Sequence, residues 1–88
     1  GNAVSAADSR RMMAKDRVRA SEQAVDAAKA AFKTAQLNLD RQRQLLEKGL
    51  TSKRALELAE LDYANAETGL DRSKAAYDAA VKEERALN

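Results

Sequence analysis

The chain is expected to be all-α, an antiparallel two-helix coiled-coil hairpin, on three observations. Large apolar residues recur every seven positions on both sides of Gly49-Leu50-Thr51. Val18, Val25, Phe32, Leu39 and Leu46 precede it, and Leu56, Tyr63, Leu70 and Tyr77 follow it. A sustained seven-residue repeat marks a helix with one apolar stripe to bury against another helix. The two halves are also mirror images. Folding the chain at the break sets Leu46 against Leu56, Leu39 against Tyr63, Phe32 against Leu70 and Val25 against Tyr77. A second series, mostly small, pairs Ala35 with Ala66, Ala28 with Ser73, Ser21 with Ala80 and Ala14 with Leu87. Finally, 34% of the 88 residues are charged and about a quarter are alanine, with no proline, one Phe and two Tyr. That composition with that spacing belongs to long helices.

The first helix is expected from near Ser5 to about Lys48, with Ser5-Ala-Ala-Asp8 as its capping signal. A tip follows over residues 49–52, and the second helix runs from about 53 to 87. Gly49 suits the left-handed position just past a helix end, where a side chain costs energy. Leu50 then packs back on Leu45, and Thr51 or Ser52 caps the second helix through its hydroxyl. By the mirror pairing, Asn88 lies opposite residue 14. The paired hairpin therefore spans residues 14–88, and residues 1–13, including Val4 and Arg11 in heptad register, form an overhang expected to be frayed, or helical only through lattice or oligomer contacts. Gln42 breaks the small series opposite Ala59, where a polar group can fix register. Gly69 is the one local weakness, costing ~1 kcal/mol relative to Ala.

Several function classes fit poorly. A two-helix rod has no deep interior for a substrate pocket. Cysteine and histidine are both absent, which removes thiolate and imidazole chemistry and any metal site built on them. Carboxylates such as Asp62 and Glu67 fall on exposed faces, so neither an enzyme nor a cofactor is expected. No apolar run approaches the ~20 residues that cross a bilayer. Gly1-Asn2 reads as a cloning remnant, and the chain as a piece excised from a longer protein.

The charge is placed unevenly. The whole chain carries +2, but Arg41, Arg43, Lys48, Lys53 and Arg54 cluster at the bend against the single acid Glu47. Lys53 and Arg54 fall in a first helical turn, where cations oppose the helix dipole at ~0.3–1 kcal/mol each. Nucleic acid is not the expected partner, since a net four charges with no nearby aromatic give little phosphate affinity and no base stacking.

The segment from Arg41 to Ser52 resembles the hairpin tip of periplasmic membrane fusion proteins, the HlyD-like adaptors of tripartite efflux and secretion systems in Gram-negative bacteria. The family's tip signature is an Arg, a Leu four residues later and a Ser seven after that, matched here by Arg41, Leu45 and Ser52. The run Ser52, Lys53, Leu56, Ala59 and the repeating alanines of the returning arm are also similar. The resemblance covers residues 14–87 and implies a mechanical role in transport. The parent protein is anchored to the inner membrane and assembles as a homo-oligomer, usually a hexamer, in the periplasm. Its hairpin tips meet a TolC-like outer-membrane channel, and its other domains, absent from this chain, engage an inner-membrane transporter. Arg41, Leu45 and Ser52 stand at the channel-contacting positions, with Lys48, Gly49, Leu50, Lys53 and Arg54 flanking them. Alone, the fragment is expected to be a monomer or weak dimer. Each residue also has a local use: Ser52 as a cap, Leu45 as the partner of Leu50, Arg41 as a solvated charge. The alternative function is a structural coiled-coil spacer mediating protein–protein contact.

Overall fold

The computed structural model describes residues 5–88. It is an all-α hairpin of two long helices, α1 (Ala6–Glu47) and α2 (Lys53–Leu87), packed antiparallel in a rod of 72 × 21 × 14 Å. Among the described residues there is no strand, and no helix is long and apolar enough to cross a membrane.

Heptad positions are named a to g, with the large series at a and the small series at d in both helices. The buried residues are Ala14, Leu39, Ala59 and Leu70, all at a or d. The remaining a and d positions from Ala14 to Leu87 are half-buried, as a seam only two helices deep requires. Ser21 occupies a d position without penalty because its hydroxyl donates to the Val18 carbonyl at 2.9 Å.

Packing between the arms is staggered rather than level. Leu39 and Tyr63 line one cleft together, and Val25 and Tyr77 line another, as the mirror pairing expects. The Phe32 ring, however, also meets Tyr63, with ring centroids 5.1 Å apart and planes tilted by 43°. Tyr63 thus lies against two successive a layers of α1, about two turns apart. This tilted geometry suits the aromatic quadrupoles better than face-to-face stacking does.

At the N-terminal end the part of the overhang that the structure describes is ordered as helix rather than frayed, within the single chain. Residues 6–13 are helical and continuous with the rest of α1. Ser5 caps the helix, its Oγ accepting from the Asp8 N–H at 3.0 Å. The end of α2 also reaches further along α1 than residue 14. Arg11 Nε donates to the Leu87 carbonyl at 3.1 Å while its guanidinium pairs with Asp8 at 2.9 Å. The physical reason is reach: a long guanidinium closes on a free C-terminal carbonyl beyond the last apolar layer. The first four residues of the expected overhang, Val4 among them, lie outside the described chain.

Candidate functional site

The candidate site is the distal tip, and its shape follows from two adjoining helix caps. α1 ends in a Schellman motif. Gly49 has φ +71°, its N–H donates to the Leu46 carbonyl at 2.9 Å, and the Leu50 N–H donates to the Leu45 carbonyl at 2.8 Å. These bonds satisfy two carbonyls that the helix end leaves without partners. Of the two expected caps for α2, the structure uses Ser52, whose Oγ accepts from the Ala55 N–H at 3.0 Å. The turn is consequently tight and held on both sides.

Thr51 serves a different purpose, which the sequence did not reveal. Its hydroxyl donates to Gln42 Oε1 at 2.9 Å, in a half-buried position. This bond ties the loop to α1 and gives Gln42 its place in the small series, as a clasp between tip and seam. A Thr nine residues after a core Gln is the only sequence trace of it.

Each expected contact residue lies at or near the tip surface. Arg41 is exposed on α1, Leu45 is half-buried one turn nearer the tip, and Ser52 is exposed at the start of α2. Lys48, Gly49, Lys53 and Arg54 are exposed around them. Leu50 is expected to pack back on Leu45. Its backbone does bond there, yet the residue stays 69% exposed. A large apolar side chain at the end of the rod is therefore left in water. Sequence reasoning missed a second one: Leu58 belongs to neither apolar series and is 45% exposed on the second turn of α2.

Tip electrostatics run against the local interest of α2 and are mixed at the end of α1. α2 has no acid in its first turn and α1 no base in its last. Glu47 instead sits at the negative end of the α1 dipole, and Lys53 and Arg54 at the positive end of that of α2. Lys48 at the α1 C-cap offsets Glu47, and two local pairs, Arg54 to Glu57 and Arg43 to Asp40, each at 3.9 Å and well exposed, add little. Exposed pairs of this kind contribute ~0–1 kcal/mol.

Chemically, the tip is a small convex surface with apolar leucines, a ring of cations and a free hydroxyl proton. The Ser52 hydroxyl accepts within the cap but can still donate outward. Such a surface suits docking into an apolar groove rimmed by carbonyls or carboxylates. Comparison with protein-family models, characterised proteins and solved structures finds no match for this chain.

Proposed function

We propose that the chain is the docking hairpin of a periplasmic adaptor protein, whose tip engages a TolC-like outer-membrane channel and links it to an inner-membrane transporter for efflux or secretion. The observation that carries this reading is the position of the Arg41-Leu45-Ser52 match: the end of a 72 Å rod, beside an exposed leucine and cations that weaken their own helix. A rod end under no selection beyond folding would favour acids in the first turn and a covered leucine. The length supports a spanning role, since a hairpin of this reach projects a contact surface far from its base. In this reading Leu45 fills a groove on the channel, Arg41 donates to carbonyls or carboxylates, and Ser52 donates to backbone carbonyls. The parent is a periplasmic hexamer anchored at the inner membrane.

The test is a pair of substitutions in the full-length parent, scored by drug tolerance or secretion in a cell lacking the native adaptor. Circular dichroism of the hairpin supplies the control. Leu45→Asp is expected to abolish transport with helical content retained, because Leu45 flanks the seam. Transport that survives Leu45→Asp would reduce the Arg41-Leu45-Ser52 match to helix-end chemistry and favour the spacer.

A further inference from the structure

The two flanks of the rod differ in chemistry. One is formed by the e and b positions of both helices and is charged: Asp26, Lys29 and Lys33 come from α1, and Glu60, Glu67 and Lys74 from α2. The other is formed by the g and c positions, as the cross-seam pair of Arg17 and Glu83, both at g, establishes. It exposes Ala24, Ala27 and Ala31 on α1 and Ala76 and Ala79 on α2, with Gly69 half-buried and Arg72 exposed beside them. Midway it holds a groove of about 530 Å³, lined by Ala31, Thr34, Asn38, Asp62 and Ala66 among others. Toward the tip it carries Leu45 and the 45% exposed Leu58.

We propose that the g/c flank is the seam of a homodimer. Two copies pack flank to flank about a two-fold axis along the rod, making a four-helix bundle in which every neighbouring pair of helices is antiparallel. The occupant is a second copy because the flank is self-complementary, as a two-fold interface requires. About that axis, α1 of each copy faces α2 of the other at the same height. Asp62 shares the groove with Asn38, just under one turn from Arg41. Neither Arg41 nor Asp62 forms an ion pair among the described residues. Helical side chains lean toward the N-terminus of their own helix. Arg41 therefore leans away from the tip and Asp62 toward it, so across the axis each converges on its counterpart in the second copy. Leu45 lies four residues nearer the tip than Arg41, and Leu58 four nearer than Asp62, so the leucines meet by the same operation. Every contact occurs twice.

Size and fit agree with this. From Ala20 to Leu45 the flank is about 38 Å long, and the rod is 21 Å wide. The two copies together would cover roughly 1,600 Å², the size of a standard stable interface. Alanine and glycine let the backbones approach at the short end of the 8–10 Å range of helix packing. The charged flank offers no equivalent, because burying it would strip water from many side chains.

Sedimentation equilibrium of the full 88-residue chain, from micromolar to millimolar concentration, tests the dimer. A monomer–dimer equilibrium is expected, with nothing larger. Asp62→Arg and Arg41→Asp should each weaken it roughly tenfold or more by setting like charges opposite one another, and the double variant should restore it. A Cβ at Gly69 meets nothing within the hairpin. Gly69→Glu should therefore keep full helicity and lose the dimer, while Lys33→Glu on the opposite flank should change nothing. A wild-type chain that stays monomeric throughout overturns the proposal. So does a dimer indifferent to Gly69→Glu, a charge swap without rescue, or assembly beyond the dimer. Arg41 and Leu45 belong to both surfaces, but Asp62 and Gly69 lie away from the tip, so the Asp62 and Gly69 variants read the dimer apart from channel docking.

Discussion

At the scale of single residues, the distinction that matters is between side chains that hold the hairpin and those it displays. Phe32 belongs to the first kind. Its ring is half-buried and set against Tyr63 at 5.1 Å. Phe32→Ala should cost about 2–4 kcal/mol, toward or below the low end for aromatic truncation because the ring is only partly covered. Thermal unfolding by circular dichroism reads this directly, and Leu45→Asp, which loses no seam layer, should melt distinctly higher. Gly49 holds the fold by its backbone alone. At φ +71° any other residue meets its own carbonyl, so Gly49→Ala should destabilise by about 1–2 kcal/mol, even though nothing surrounds the added methyl. A melting temperature unchanged by Gly49→Ala would show that the tip relaxes freely and is not the rigid cap described above.

At the scale of elements, each helix is long because nothing interrupts it and short of ideal where something else is required. Gly69 lies at a half-buried g position of α2 with open space where a Cβ would stand. For the hairpin alone, Gly69→Ala should therefore stabilise by about 1 kcal/mol through helix propensity, seen as a higher melting temperature in dilute solution. A lower one would mean that the glycine answers a need within α2 itself. Lys53 presents the same contrast electrostatically. Lys53→Glu should raise the stability of α2 by ~0.3–1 kcal/mol at low salt, with the gain fading as salt is added. The α1 N-terminus gains its order from the Ser5 cap and the Arg11 bridge to Leu87. Hydrogen exchange over residues 6–13 should consequently quicken on Ser5→Ala, by the ~1 kcal/mol that a lost cap costs, while the seam is unaffected.

At the scale of the molecule, elongation dominates. The radius of gyration is 20.1 Å, whereas a compact domain of this length would have about 12 Å. Small-angle scattering at the dilute limit should return the larger value, and a value near the smaller one would mean that the arms collapse or refold. A rod this thin exposes most of its surface; its e/b flank is charged, and outside the g/c flank Leu37 and Leu61 stand singly exposed. Velocity sedimentation at micromolar concentration should accordingly show no hexamer of the isolated chain; a dominant hexamer peak would contradict that expectation.

The two helices, their antiparallel pairing and the break at Gly49 are legible in the sequence, because they depend on periodicity and on a few local rules that act within seven residues. The seven-residue stripe dictates that a helix forms and which side it hides. A glycine followed by a leucine and two hydroxyl residues dictates where it stops. The tip cations and the Arg41-Leu45-Ser52 spacing are legible for the same reason. Only the tertiary structure decided the rest. Which hydroxyl caps α2, and that Thr51 reaches Gln42, depend on the path of a five-residue loop through space. The staggered meeting of Phe32 with Tyr63, and the reach of Arg11 to Leu87, depend on how far one arm slides along the other. A heptad repeat matches itself almost equally well at neighbouring registers, so periodicity leaves that sliding nearly free. The exposure of Leu50 and Leu58, and the gathering of small residues on one flank, follow from which helix faces end up side by side. Neither chain half carries that information alone, because a flank exists only once two helices are brought together.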